Sequence, residues 1–162
     1  MEKNPIVYEL EPVRNYFNTS ISVLTEEDSN FKPKEEMLTV AQHVAHVRQT
    51  IDWFTDGAFS KKLFDMNFEG LMAEVMQANS LEEESEKFNK TMDRALKVWG
   101  SKSDKELQSL LPDNPIMGCA PRKACVNAIV EHTAHHRGSL AVYTRLLGKT
   151  PKMPYMTEES GC

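Results

Sequence analysis

The sequence predicts an all-α protein that folds as an antiparallel four-helix bundle. Four long segments repeat apolar residues at spacings of three and four, which is the period of one helix face. No segment shows the sustained alternation of apolar and polar residues that marks a half-buried strand. The chain has 162 residues, of which 40% are hydrophobic and 27% are charged, so we expect one globular domain over 1–162.

The first two predicted helices lie in the N-terminal part of the chain. The first carries six apolar residues at helical spacing: Val7, Leu10, Val13, Phe17, Ile21 and Leu24. Pro12 lies among them and cannot donate the hydrogen bond of a helix interior, so we expect the helix to start near Pro12. Thr39 and Gln42 have the spacing of a capping box, which predicts a second helix from Thr39 to about Ala58.

The third and fourth predicted helices lie in the second half of the chain. The sequence SLEE forms another capping box at Ser80, and the third helix should end at Gly100. The fourth helix should follow Pro121, which suits the first helical position, and should stop near Gly148. Four helices of this length are expected to pack as a bundle.

The two longer connections, 61–79 and 101–120, are expected to contain short helices or turns. One face of a short helix in the first connection carries four apolar residues: Phe64, Phe68, Leu71 and Val75. This face is interpreted as part of the core or as a contact in a homodimer. The functional alternative is a pocket wall or lid, because the methionines nearby make an adaptable surface.

Charge and composition narrow the partners that the chain can have. It carries 19 basic and 24 acidic residues, a net charge of -5, and no basic stripe, so we expect no nucleic acid partner. It has neither the apolar run of a signal peptide nor about 18 successive apolar residues without charge. We therefore expect a cytoplasmic protein that does not enter a membrane.

The three cysteines are expected to be reduced thiols. Cys119, Cys125 and Cys162 are odd in number and form no C-x-x-C pair, which argues against a disulfide framework and against a zinc knuckle. Cys125 is interpreted as core packing. Cys119 is interpreted as an incidental loop thiol, and its functional alternative is a thiol that approaches the open end of the bundle.

The five histidines form two groups that are distant in sequence. His132 and His136 share one stripe of the fourth helix, and an i, i+4 pair can place two imidazoles on one metal ion. The alternative is that both are satisfied core histidines. The upstream group, in QHVAHV, can supply a third ligand from another helix. Periodicity slightly favours His43, since it lies near the centre of the apolar face, whereas His46 lies on the flank.

Two other metal architectures are excluded by the motifs. A di-iron bundle needs glutamate three residues before a histidine, and the sequence has no such pair. The zinc-protease motif H-E-x-x-H is also missing. A mononuclear site with three histidines and open positions remains.

Two segments resemble the motifs of the DinB-like family, which includes YfiT-type proteins assigned as metal-dependent hydrolases and several thiol-dependent transferases. They are TVAQHVAHV at 39–47 and EHTAHHRGSLAVYTRLLGKTP at 131–151, and the helix order and chain length match as well. The resemblance implies a DinB/YfiT-like bundle with His46, His132 and His136 as ligands of one divalent metal ion, with zinc or nickel expected.

The resemblance also implies a function. A three-histidine site can activate water or bind a thiol as thiolate, so we expect a hydrolase or a low-molecular-weight-thiol transferase that acts on a small molecule. The alternative is a non-catalytic bundle, with a structural metal or none, that acts through dimerisation. Leu38 and Ser139 depart from the residues frequent in the family, Trp and Gln respectively, which affects the surroundings of the ligands.

Three residues beside the expected ligands are interpreted as supporting groups, and no catalytic side chain is identified. His43 is either a core-edge histidine or a partner of a ligand, with direct ligation as a third alternative. His135 neighbours a ligand in sequence but faces elsewhere on the helix, so it is expected at the surface or against a ligand. Arg137 either anchors an anionic substrate or pairs with an acidic neighbour.

Overall fold

Four long helices and two short ones form the protein in the computed structural model, which describes residues 4–155. In chain order they are α1 (Pro5–Ile21), α2 (Val40–Phe59), α3 (Phe68–Val75), α4 (Leu81–Gly100), α5 (Asp104–Gln108) and α6 (Ala124–Leu146). A 3-10 turn at Glu26–Asp28 follows α1. No strand occurs in this part of the chain, so the predicted all-α bundle is confirmed.

Two neighbouring long helices, α2 and α4, run parallel. Arg48 of α2 pairs with Glu84 near the start of α4, whereas Thr55, later in α2, accepts a hydrogen bond from Trp99, near the end of α4. The connection between these helices contains α3, which runs back along α2 and returns the chain to the end at which α4 begins. Parallel neighbours in a bundle need such a crossover.

The other two long helices run in the opposite direction. In α1, Arg14 pairs with Asp93 of α4. Asn18 lies later in α1 and donates a hydrogen bond to Asn89, which precedes Asp93 in α4, so these two helices are antiparallel. The residues that lead into α6 contact the C-terminal end of α2, which makes α2 and α6 antiparallel as well. The four helices therefore follow the order up, down, down, up.

Helix α1 begins at Pro5, so the expectation of a start near Pro12 was wrong. Asn4 caps the helix, because its Oδ1 accepts a hydrogen bond from the Ile6 amide at 3.1 Å. Pro12 removes the helical hydrogen bond to the carbonyl of Tyr8, but Tyr8 is 60% exposed, so water can satisfy that carbonyl. The burial of Ile6 stabilises the turns that precede Pro12.

The starts of α2 and α4 follow their predicted caps. Thr39 and Gln42 form the capping box of α2, in which each side chain accepts a hydrogen bond from the other backbone amide, at 3.2 and 2.9 Å. The hydroxyl of Ser80 caps α4 by accepting from the Glu83 amide at 3.1 Å. The carboxylate of Glu83 pairs with Lys87 rather than closing a second box. Both helices end within one residue of the predicted positions.

Helix α6 begins at Ala124, so the placement of Pro121 at its first position was wrong. Pro121 instead forms an isolated β-bridge with Leu110, flanked by further backbone hydrogen bonds. This pairing with the 101–120 connection holds the chain extended at Pro121, so α6 begins only at Ala124. At the other end, Gly148 has a φ of +75°, a left-handed conformation that ends helices and suits glycine.

Both long connections contain a short helix, as expected: α3 and α5. On the apolar face around α3, Phe64 and Val75 are buried and Leu71 is half-buried. Phe68 is 52% exposed, so this face reaches the core only in part. The ring of Phe64 packs on Gly57 of α2, where any added Cβ would collide with it.

Apolar side chains from all four long helices fill the core between them. The largest fully buried side chains include Trp99, Tyr143, Phe17 and Phe88. Trp99 donates from Nε1 to the hydroxyl of Thr55 at 3.1 Å, so its polar atom is satisfied inside the core. Among the helices of residues 4–155, none is long and apolar enough to cross a membrane.

Candidate metal centre

Two neighbouring helices, α2 and α6, bring the two histidine groups together. Because these helices are antiparallel, His46 lies opposite His132, and the earlier His43 lies opposite the later His136. The Nε2 atoms of His46 and His132 are 3.2 Å apart. The Nδ1 atoms of His43 and His136 are 3.0 Å apart. Two pairs of imidazoles therefore meet side by side between the helices.

His46, His132 and His136 form a nearly equilateral cluster. Their ring centroids are 4.5, 4.8 and 4.9 Å apart, and one nitrogen from each lies within 4.8 Å of the others. A tetrahedral ion with nitrogen ligands at about 2.0–2.1 Å separates two of them by about 3.3 Å. The observed 3.2 Å between the two Nε2 atoms is close to this value. In the described residues this is the one such group of potential ligands.

Burial keeps the clustered imidazoles neutral. Desolvation lowers the pKa of His132 to about 4 and the pKa of His136 to about 3, and it also lowers the pKa of His46. The pKa of His43 falls to about 4 for the same reason. Neutral imidazoles carry the lone pair that a metal ion requires, so the cluster is in its binding form near neutral pH.

The second ring nitrogens of the cluster differ in their partners. Those of His46 and His132, the Nδ1 atoms, are buried and have no hydrogen-bond partner among the described residues. Nδ1 of His136 contacts His43. Metal-binding histidines usually donate their second N–H to a fixed partner, which here exists for His136. Three neutral nitrogens, two of them facing each other at 3.2 Å, fit a divalent transition metal.

Two of the three histidines are partly accessible to solvent. His46 and His132 are half-buried, whereas His136 is 9% exposed. No cysteine or carboxylate of residues 4–155 joins the three histidines at ligand distance. An ion held by these three side chains would therefore keep coordination positions for solvent or substrate.

Comparison with known proteins identifies the fold family. The model of the DinB family matches residues 2–160. The chain belongs to the DinB family. The crystal structure of YjoA, a DinB-like protein from Bacillus subtilis, superposes with a TM-score of 0.69 at 18% identity, covering 96% of this chain and 100% of that one. At this identity the likeness shows the shared fold. No curated protein matches the sequence.

In this DinB-family chain, the other predicted site residues lie beside the cluster or away from it. His135 is exposed, and its ring centroid is 4.9 Å from that of His136, which places it at the rim. The guanidinium of Arg137 lies 5.9 and 5.4 Å from the ring centroids of Tyr16 and Tyr155 and donates to the Tyr155 hydroxyl at 3.2 Å. Aromatic rings of α1 and the C-terminal segment thus hold Arg137.

Neither Cys119 nor Cys125 lies at the histidine cluster in the structure. Cys119 is an exposed free thiol in the loop before α6, whereas His132 lies about 12 Å along α6 from its first residue. Cys125 is buried in the core, and burial raises the pKa of its thiol to about 11, which suits packing rather than reactivity. Cys162 lies outside the described residues.

Tyr143 is a neighbour of the site that sequence reasoning did not assign to it. Its ring meets the ring of His43 edge-on, with centroids 5.0 Å apart and planes at 90°. Its hydroxyl donates to the carbonyl of Leu38 at 3.0 Å. Tyr143 follows His136 by two turns on the same stripe of α6, and that spacing is the signal that could have identified it.

Proposed function

We propose that this DinB-family protein binds one divalent metal ion through His46, His132 and His136 and acts as an enzyme on a small molecule. The observation that carries the proposal is the triangle of imidazole rings, 4.5 to 4.9 Å apart. The lack of a fourth protein ligand among residues 4–155 supports catalysis, since structural zinc sites are usually closed by four protein ligands.

The chain's own residues set the conditions for this chemistry. When bound, a divalent ion supplies a Lewis acid that lowers the pKa of a coordinated water or thiol, and neutral imidazoles leave its 2+ charge undiminished. His136 seals the inner side of the cluster, because it lies against the core. His46 and His132 are half-buried, so we expect the substrate to approach the ion from these two residues.

Two reaction classes fit this arrangement. The first is hydrolysis by activated water, and the second is a transfer that uses a low-molecular-weight thiol as the nucleophile. Zinc and nickel are the expected ions, because both accept imidazole nitrogen. The proposed setting is the cytoplasm, with a small-molecule substrate and with neither nucleic acid nor membrane as a partner.

A second candidate function is a non-catalytic bundle, with a structural metal or none, that acts through dimerisation. Exposed apolar side chains around α3 favour it: Met66 is 46%, Phe68 52%, Met72 41% and Met76 53% exposed. Such side chains suit a contact with a second copy of the chain. A homodimer is also compatible with the enzyme, so dimerisation alone does not separate the two functions.

Elemental analysis of protein purified without a nickel column tests the proposed metal site. We expect one divalent ion per chain in the wild type. His46→Ala, His132→Ala and His136→Ala should each abolish stoichiometric binding, because each removes one of three ligands. His135→Ala is the matched control and should retain the ion, since its ring is exposed at the rim. Metal-free wild-type protein, or full occupancy in the ligand variants, would refute the proposal.

A further inference from the structure

We infer that His43 is a positioning residue that accepts a hydrogen bond from Nδ1 of His136 and thereby directs Nε2 of His136 towards the metal ion. The inference rests on the proposed three-histidine site. It gives His43 a role that differs both from ligation and from packing in the core.

The contact between the two Nδ1 atoms has one arrangement that leaves His136 able to bind a metal. At 3.0 Å between neutral rings, one nitrogen must carry the proton and the other the lone pair. If His43 donated, the proton of His136 would lie on Nε2, and no lone pair would remain for the ion. If His136 donates, its Nε2 is free to bind, and the proton of His43 lies on its own Nε2.

The surroundings of His43 hold its ring in place for this contact. His43 and His136 are only 7% and 9% exposed, so their hydrogen bond is shielded from water. The perpendicular ring of Tyr143 lies 5.0 Å from the ring of His43, and the Tyr143 hydroxyl is fixed on the carbonyl of Leu38. The capping box at Thr39 sets the start of α2 and so the height of His43 along the helix.

His136 is the member of the cluster with a protein partner on its second nitrogen. The Nδ1 atoms of His46 and His132 have none among residues 4–155. A partner on the second nitrogen fixes both the tautomer and the orientation of a ligand ring, and its loss typically weakens metal binding by about 10-fold to 100-fold. A comparable loss is therefore expected when the acceptor at His43 is removed.

A matched pair of variants, His43→Asn and His43→Leu, separates the acceptor from the volume of the side chain. Asparagine places Oδ1 where histidine has Nδ1, because both atoms lie two bonds beyond Cβ. Leucine places a methyl group there and offers no acceptor. We expect the dissociation constant for zinc to rise by about 10-fold to 100-fold in His43→Leu and by less than about 3-fold in His43→Asn.

A packing role predicts the opposite order, because leucine fills the buried site beside Tyr143 without desolvating an amide. Equal losses in both variants, or no loss in either, would overturn the inference and leave the metal site standing. Wild-type protein that binds no zinc would overturn the proposed function and this inference together. Long-range nitrogen-15 NMR of the zinc-loaded wild type provides a measurement that needs no variant. It should show the proton of His136 on Nδ1, and a proton on Nε2 would overturn the inference.

Discussion

Acidification should destabilise the metal-free protein, because its buried histidines resist protonation. Burial lowers the pKa of His43 from 6.5 to about 4 and the pKa of His136 from 6.5 to about 3. Between the unfolded and folded values, the unfolded chain binds protons that the folded chain does not bind. The free energy of unfolding is therefore highest above about pH 6.5 and falls as the pH falls, until the folded rings also protonate.

The size of the effect follows from these pKa values. At pH 5 an unfolded histidine is almost fully protonated, and the cost of keeping one buried ring neutral is about 2 kcal/mol relative to pH 7. His43 and His136 together should reduce the free energy of unfolding by about 4 kcal/mol, and His132, whose pKa is also lowered to about 4, should add about 2 kcal/mol. This is a large part of the 5–15 kcal/mol that is typical, roughly, of whole domains.

Urea unfolding of chelator-treated protein at pH 7 and pH 5 measures the effect. His136→Asn removes one buried titrating ring, so its stability should fall by about 2 kcal/mol less than that of the wild type. His135→Asn is the matched comparison, because it makes the same substitution at an exposed ring in place of a buried one. Carboxylates contribute equally to all three proteins and cancel in the comparison. The same pH dependence in wild type and His136→Asn would refute the reasoning.

Three further predictions concern packing and chemistry. Arg48→Met should destabilise the protein by about 1–3 kcal/mol in urea unfolding, because the buried carboxylate of Glu84 loses one of its two cations; an unchanged unfolding midpoint would contradict this. Gly57→Ala should destabilise the protein by about 1–3 kcal/mol, because the new methyl group must displace the ring of Phe64. An unaltered melting temperature would show instead that the ring moves freely. If thiol transfer is the reaction, a small thiol added to the cobalt-substituted protein should give a sulfur-to-metal charge-transfer band that persists in Cys119→Ser; a spectrum unchanged by thiol would contradict it.

The helix boundaries show where local sequence rules succeed and where they fail. The cap at Thr39 was predictable, because a capping box depends on residues within one turn. The expectations that Pro12 starts α1 and that Pro121 starts α6 were wrong, because residues outside the turn of each proline compensate for it. Asn4 caps the helix two turns before Pro12, and Leu110 pairs with Pro121 across a loop. Neither compensation is visible in the residues next to the proline.

The histidine cluster shows what periodicity can and cannot give. Periodicity placed His43 near the centre of the apolar face, and the ring is indeed 7% exposed. The group of three nitrogens nevertheless contains His46, on the flank, because α6 packs against that side of α2. Periodicity predicts the side of a helix on which a histidine lies, but it does not predict which neighbouring helix packs against that side. The family motif indicated His46, whereas the contact between His43 and His136 required the structure.

The parallel arrangement of α2 and α4 was also beyond local rules. The 61–79 connection is long enough for a crossover or for a mobile loop, and its composition does not choose between them. The choice follows from contacts distant in sequence, such as the ion pair of Arg48 with Glu84 and the hydrogen bond from Gln42 to the carbonyl of Met76.

X-ray diffraction from zinc-loaded crystals, recorded on both sides of the zinc absorption edge, tests the central claim most directly. We predict one anomalous peak in the cluster, within about 2.0–2.1 Å of a nitrogen from each of His46, His132 and His136. His43 should remain outside ligand distance and in contact with His136. A peak ligated by His43 in place of His46, a peak elsewhere in the chain, or no peak would contradict the proposed metal site.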